Sequence, residues 1–309
     1  VKGDSGKVDT VVVGSVALDT IQTPFARRED MLGGSVSYAC AAASFYSSTG
    51  MVGIVGDDFP DEHLSLYDGF GIDLQGLQRV EGKTFRWSGV YEDDMINRRT
   101  LSTELNVFES FTPELPEAYR RAPFLLLGNI SPTLQLHVLG QAEAARFVAA
   151  DTMDLWINTA RDALDELIGR VDMLMLNDAE ARLLTGVHNL RRGGEKILAS
   201  GPRYVVIKKG EHGAMLMSEH GIFVVPAYPV LDVRDPTGAG DTFAGGFLGA
   251  LSAGTELNEA AVRNALLYGS TVASIGVEEF SLGALAKLDR EAIDSRLAEL
   301  KAMMSPGEA

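Results

Sequence analysis

Asp235-Pro236-Thr237-Gly238-Ala239-Gly240-Asp241 runs directly into Thr242-Phe243-Ala244-Gly245-Gly246-Phe247. A polar, glycine-bearing loop thus meets an apolar helix of small residues, with an acid at the join. Gly238 and Gly240 can take backbone angles that other residues avoid, so successive N–H groups can converge on one point. A helix N-terminus adds free N–H donors and partial positive charge, which favour phosphate oxygens. Asp241 is placed to take a proton from a substrate hydroxyl while the amides hold charge developing on a phosphoryl group. The competing reading is a helix cap after a glycine turn, and a lone G-x-G would mean no more than that. Here the pattern is longer: two acids, a proline, a threonine and two glycines stand in order before the helix.

Outward from that loop, strands and helices alternate. Residues 8–14, 51–56, 124–127, 147–150, 173–176 and 204–207 are short apolar runs that read as buried strands. Helical patterns at 35–46, 57–70, 134–145, 161–168, 178–184 and 190–199 separate them, and helices at 241–252, 259–274 and 290–303 close the chain. Such alternation implies an α/β fold with a mainly parallel sheet covered on both faces. No internal repeat or low-complexity linker divides the chain, so one domain over residues 1–309 is expected. One segment departs from the pattern. Thr84-Phe85-Arg86-Trp87-Ser88-Gly89-Val90-Tyr91 alternates and is aromatic-rich, and residues 98–103 follow a polar turn at Glu92-Asp93-Asp94. These residues read as an antiparallel hairpin, either set apart from the parallel sheet or lying on its edge.

With 46% hydrophobic and 23% charged residues, the chain has the composition of a globular protein with a buried core. A net charge of -16 and a pI near 4.7 argue against nucleic acid or an anionic membrane as the main partner. An anionic cosubstrate must then be held by local amides and a few cations, or by a metal. The single cysteine, Cys40, excludes an intrachain disulfide framework and fits a reducing cytoplasm. Its apolar neighbours at 38–43 mark it as a buried structural thiol. No apolar run approaches membrane-spanning length, and Val1-Lys2-Gly3-Asp4 lacks a signal-peptide core. A soluble cytoplasmic protein is expected.

The 235–241 loop resembles the C-terminal signature of the ribokinase/PfkB family of sugar and nucleoside kinases, and the resemblance spans nearly the whole chain. Gly14-Ser15-Val16-Ala17-Leu18-Asp19 matches the family's strand-end stretch with its substrate-binding aspartate, which makes Asp19 an acceptor for sugar hydroxyls. Gly33-Gly34-Ser35-Val36-Ser37-Tyr38-Ala39 resembles the first signature, although many members carry Asn where this chain has Tyr38. Asn177-Asp178-Ala179-Glu180 matches the N-x-x-E element; alone it would be a capping box. The resemblance implies that Glu180 organises a magnesium-bound water, which suits an ion that keeps its waters. Ile207-Lys208-Lys209-Gly210-Glu211-His212-Gly213-Ala214 resembles the strand–glycine turn beside the nucleotide, with Lys209 and Gly210 as neighbours of ATP; an exposed hairpin turn is the alternative. Asn177, Thr237 and Asn264 complete the implied nucleotide site. Asp235, Thr237, Ser274 and Gly276 fall where relatives hold a monovalent cation such as K+.

The resemblance further implies a ribokinase-like three-layer α/β/α fold with a small β lid built from segments about 19–33 and 83–106. Its activity would be transfer of the γ-phosphate of ATP, with Mg2+, to a hydroxymethyl group of a sugar or sugar-like molecule. Asp241 would act as base, and the amides of Gly238, Ala239 and Gly240 would stabilise the transferring group. Asp19, Gly33, Gly34, Tyr38 and Asn129 would line the substrate, with Ile130 standing where ribokinase-like members often place an acid. Phe85, Trp87, Tyr91 and Tyr38 offer flat surfaces for a base or a sugar face, and Arg86, Arg98 and Arg99 could meet an anionic acceptor. A ribonucleoside kinase and a catalytically silent nucleotide-binding relative stay open. A dinucleotide-dependent oxidoreductase does not fit, because no G-x-G-x-x-G follows the first strand. The exposed aromatic lid and the family together suggest a homodimer through the lids.

Overall fold

The computed structural model describes residues 7–305. The stretch at 1–4, read above for a targeting signal, lies outside them. In chain order the strands are β1 (Thr10–Val13), β2 (Ala17–Gln22), β3 (Arg27–Gly33), β4 (Thr49–Gly56), β5 (Asp73–Val80), β6 (Arg86–Tyr91) and β7 (Arg98–Glu104). Then come β8 (Phe124–Leu127), β9 (Phe147–Asp151), β10 (Met173–Asn177), β11 (Tyr204–Lys208), β12 (Ala214–Ser218) and β13 (Gly221–Val225).

Nine of these strands form one sheet in the order β13-β12-β11-β10-β9-β8-β1-β4-β5. All neighbours from β11 to β5 are parallel, and β12 and β13 add an antiparallel edge. Strands β1, β4, β8 and β9 are buried along their whole length, which is why they read as unbroken apolar runs. Their side chains alternate between two cores. Val12, Met51 and Phe147 point to one face with Phe247 and Leu266, while Val11, Val13 and Leu125 point to the other with Leu164 and Ile197.

On the first face the helices Ser35–Ser44, Ala239–Ser252 and Glu259–Gly276 pack at backbone distance. A Cβ at Gly245 would lie 2.0 Å from the Ala39 carbonyl oxygen, and one at Gly249 would lie 2.6 Å from that of Ala43. The small residues after Asp241 are therefore a packing requirement, and they fix the helix whose first turn carries that acid.

Several boundaries differ from the sequence reading. The helix expected at 57–70 spans Asp61–Gly69, because Pro60 cannot continue a helix backward and serves as its cap. The helix expected at 134–145 spans Pro132–Leu139 and stops at Gly140. The helix expected from Asp241 begins two residues earlier, at Ala239, after Gly238 at φ 73°.

The small sheet stands apart, in the order β3-β2-β6-β7. Its outer pairs are antiparallel and its central pair, β2 with β6, is parallel. The hairpin is thus part of a separate lid rather than an edge of the main sheet. Arg86 ties the lid down through ion pairs with Asp30 on β3 and, at 3.0 Å, with Asp58. Burial acts to raise the Asp58 pKa, but its bonds from Thr84 and Arg86 prevail and hold it below the usual carboxylate range.

Candidate active site

The two glycine signatures, two hundred residues apart in sequence, touch in space. Gly238 lies against the ring of Tyr38: a Cβ there would come within 2.3 Å of it. The positive φ of Gly238 and this contact leave no room for a side chain. Gly33 plays the same part beneath Asp19, since a Cβ at Gly33 would lie 1.9 Å from the Asp19 carboxylate. Ser15 and Ser35 exchange two bonds, Ser15 N–H to Ser35 Oγ at 3.1 Å and Ser35 N–H to Ser15 Oγ at 3.2 Å. They clamp the end of β1 to the start of the helix that bears Tyr38.

This junction gathers acids in a small volume. Asp19 is 4% exposed, and its Oδ1 has no partner among the described residues. Burial pushes its carboxyl up to about 8, reinforced by the charges of Asp235 and Asp241 against the pull of Arg98. The hydroxyl of Tyr38 is likewise buried without a partner, its pKa raised by burial and by Asp235 and Asp19. Two buried polar atoms at one junction, both unpaired among the described residues, are the mark of a site built for a polar ligand. Asp241, in the first turn of its helix, is pushed up to about 7 by burial and the charge of Asp151, with Lys208 and Arg98 opposing. A carboxyl near neutrality at the start of a helix is poised to exchange protons.

A second row of charge stands at the carboxyl ends of adjacent parallel strands, where ligands settle in open α/β sheets. Asp151 ends β9, Asn177 ends β10 and Lys208 ends β11, with Asn177 directly beside Lys208 in register. Lys208 Nζ lies 2.5 Å from Asp151 Oδ2. Glu180 closes a full capping box with Asn177, its Oε2 accepting from Asn177 N–H at 2.7 Å while Asn177 Oδ1 accepts from Glu180 N–H at 2.8 Å. Burial and Asp151 raise the Glu180 pKa to about 7. The capping role and a role toward a metal-bound water do not conflict, since one carboxylate oxygen remains beyond the bond to Asn177.

The loop before Asp241 is braced from within. Asp235, 1% exposed, accepts from Thr237 N–H at 2.9 Å and from Ser281 N–H at 3.2 Å, and burial raises its carboxyl. The Thr237 hydroxyl donates to the Tyr91 hydroxyl at 3.1 Å, which links the loop to β6 of the lid. Ser274 spends its hydroxyl on the Thr271 carbonyl at 2.7 Å, and Gly276 lies against Thr242.

The structure therefore brings Asp19, Gly33, Gly34, Tyr38, Asp235, Thr237, Gly238, Ala239, Gly240 and Asp241 together, with Asn177 and Glu180 facing the same charges. The remaining candidates have bonds or exposure of their own. Both ends of the Asn129 amide are taken, Oδ1 by Trp156 Nε1 at 2.9 Å and Nδ2 by Met153 Sδ at 3.1 Å. Asn264 is exposed on its helix, and Lys209 and Gly210 belong to a turn closed by Lys209 N–H to Gly213 O at 2.7 Å. Phe85 packs on Phe108, and Arg86 is committed to its two aspartates. Asp151 and Lys208 escaped the sequence reading as site residues. The signal for them was their place as last residues of parallel strands.

A lid sheet over a parallel α/β sheet, with an acid at a helix start behind a glycine loop, is the architecture of a ribokinase-fold phosphotransferase. The description "pfkB family carbohydrate kinase" matches residues 10–287, and the chain belongs to that family. It is 32% identical to a cytidine kinase of Thermococcus kodakarensis over 82% of this chain and 91% of that protein. It shares its fold with a ribokinase II-type protein of E. coli in complex with ATP and Mg2+ (TM-score 0.78, 17% identity, covering 94% of this chain and 99% of that one). A Burkholderia thailandensis nucleoside kinase in complex with inosine matches similarly (TM-score 0.76, 22% identity, 94% and 96%). The protein is an ATP-dependent kinase of the sugar or nucleoside class.

Proposed function

We propose that the acceptor is a ribonucleoside, phosphorylated on its primary hydroxyl with Asp241 as the general base. The observation that carries this reading is the pair of unpartnered buried groups, Asp19 Oδ1 and the Tyr38 hydroxyl, beside Asp241. A ribose presents neighbouring hydroxyls that satisfy both groups and holds its hydroxymethyl toward the base. The relation to a cytidine kinase over nearly its whole length supports a nucleoside over a free sugar.

In this reading Asp241 takes the hydroxyl proton as the oxygen attacks the γ-phosphorus in line, the bond from that phosphorus to the bridging oxygen breaks and ADP leaves, and the amides of Gly238, Ala239 and Gly240 donate to the oxygens of the transferring group. Glu180 would hold Mg2+ through a water, and the metal would supply neutralisation of the ATP phosphates; few carboxylates facing a polyphosphate suit an ion that keeps its waters. Asp235, Thr237, Ser274 and Gly276 frame the place of a monovalent cation, whose charge would relieve the buried Asp235 carboxylate. The lid offers an edge for a second copy: β7 is exposed throughout, and Phe25, Ile96 and Leu101 are 57%, 64% and 50% exposed. A homodimer through this edge and a cytoplasmic location belong to the same reading.

The test is ATP turnover with Mg2+ over a panel of ribonucleosides and free pentoses, in K+ and then in Na+. Turnover with a nucleoside and none with pentoses is the expected result; preference for a free sugar would refute the assignment. Equal rates in Na+ would remove the K+ site, and a monomer at micromolar concentration in sedimentation would remove the dimer.

A further inference from the structure

The first lid hairpin, β2 with β3, meets the body of the protein through two reciprocal contacts at its free end. At its tip the ring of Phe25 lies under the guanidinium of Arg234, whose Cζ is 5.1 Å from the ring centroid. From β3, Arg28 reaches the other way and sets its Cζ 5.6 Å from the ring centroid of Phe280. The tip is a fixed turn: Thr23 N–H donates to Ala26 O at 2.8 Å and Phe25 N–H to Thr23 Oγ1 at 3.3 Å, with Thr23 buried. Both body residues adjoin the support of Asp235. Arg234 directly precedes that acid, and the N–H groups of the two donate to the Val277 carbonyl at 2.8 and 3.2 Å. Phe280 directly precedes Ser281, whose N–H donates to Asp235 Oδ2 at 3.2 Å and whose hydroxyl donates to the Leu32 carbonyl on β3.

We infer that Phe25 with Arg234 and Arg28 with Phe280 are positioning residues, a two-point catch that holds this hairpin shut and ties its closure to the loop bearing Asp235 and the glycines. The inference rests on the kinase reading of the site, whichever acceptor is taken. Strength is the first argument. A cation over an aromatic face at an exposed site shifts an equilibrium by only about two- to fivefold. These are exposed sites: Phe25 is 57% exposed, and Arg28 and Arg234 lie at the surface. A permanent seam would bury apolar area, whereas β3 is exposed from Arg27 to Asp30. Contacts of this size bias a lid and still break at each turnover. Placement is the second argument. Each contact joins the hairpin to a residue one step along the chain from a group bonded to the Asp235 system, and Asp235 itself accepts from Thr237 N–H at 2.9 Å. Closing the hairpin and setting the loop are therefore one event. Each side supplies one ring and one guanidinium, so neither hairpin nor body satisfies the catch alone.

The experiment compares backbone hydrogen exchange over residues 20–33 and 234–241 in the wild-type protein, Phe25→Leu, Phe280→Leu, their double variant and Phe25→Trp, alongside steady-state kinetics with ATP, Mg2+ and cytidine. Leucine keeps the apolar bulk and removes the ring face, while tryptophan offers a stronger one. Each leucine variant is expected to speed exchange in both segments by about two- to fivefold, and the double variant by about 5- to 25-fold. An acceptor enters under an open lid and is retained by closure, so its KM should rise by the same factors while kcat stays within about twofold. Phe25→Trp should slow exchange and lower that KM. Arg28→Lys keeps the charge and should fall between wild type and Phe280→Leu. Faster exchange confined to residues 20–33 overturns the tie to the loop. Unchanged exchange in the double variant, or leucine and tryptophan at position 25 acting alike, overturns the catch. Failure of cytidine as an acceptor of the wild-type protein counts against the ribonucleoside reading alone, and the exchange comparison still decides the inference.

Discussion

Replacing Asp19 by asparagine should stabilise the protein while damaging its activity. The carboxyl is 4% exposed and raised from 3.8 to about 8 by burial and by the charges of Asp235 and Asp241. The folded chain therefore holds this proton more tightly than the unfolded chain does. Stability from this group is complete below pH 4 and is lost as pH rises toward 8. pH 7 lies just over three units above the ordinary pKa of 3.8, and at ~1.4 kcal/mol per unit the folded state forgoes up to about 4 kcal/mol. Asparagine has the same shape, fits over Gly33 and does not titrate. Allowing for imperfect hydrogen bonding, Asp19→Asn should gain about 1–3 kcal/mol at pH 8, with most of that gain gone at pH 5. Urea unfolding of both proteins at the two pH values measures it. A variant less stable than wild type at pH 8, or a difference that ignores pH, would refute the electrostatic argument.

Asp241→Asn should lower kcat by about 100-fold or more, the scale of losing a general base; near wild-type turnover would remove Asp241 from that role. Because burial lifts Asp241 to about 7 and a base must be ionised, kcat/KM should climb with pH and level off above that value, and a profile flat from pH 5.5 to 8 would contradict it. Gly238→Ala forces a Cβ onto the Tyr38 ring at φ 73°, and a cost of about 1–3 kcal/mol in thermal unfolding is expected together with loss of activity. Tyr91→Phe removes the 3.1 Å bond between the lid and Thr237, worth about 0.5–1.5 kcal/mol; the KM for the acceptor should rise, and an unchanged KM would mean the bond does not help hold the lid over the site.

What the sequence made legible follows from how local each feature is. Strands β1, β4 and β8 to β11 are buried on both faces, so each shows as an apolar run bounded by turn residues. Strands β5 and β13 do not show, because each has an exposed side, which in β5 admits polar residues such as Gln75 and Gln78. The glycine loop at 238–240 was readable because backbone conformation selects its residues one by one. Pairing across 57 residues left no comparable trace, which is why Asp151 and Lys208 went unread. Nothing in two adjacent lysines says which one meets the glycine loop; Lys208, the last residue of β11, lies against Gly240, and Lys209 opens the turn that follows. Asn129 was placed at the substrate by analogy of position, and Trp156, from a helix the pattern did not reveal, claims its amide.

A chain of net charge -16 that binds a polyanion must concentrate attraction rather than spread it. Here the positive potential comes from backbone amides at one helix start, with Lys208 against them and Arg98 near Asp19 and Asp241. Amides bring partial positive charge that no neighbouring acid can deprotonate, so they keep working among carboxylates that would hold a free lysine as a mere counter-ion. The acids in turn depend on the same crowding. Asp19, Glu180 and Asp241 have raised pKa values chiefly because they are buried, with the charge of Asp151 adding to Glu180 and Asp241 and those of Asp235 and Asp241 adding to Asp19, and that elevation is what brings Asp241 near neutrality. Relieving the crowding would make the fold more stable and the base weaker. Burial thus underlies both the instability predicted for Asp19 and the proton exchange required of Asp241, and the neighbouring charge that adds to the second is that of Asp151.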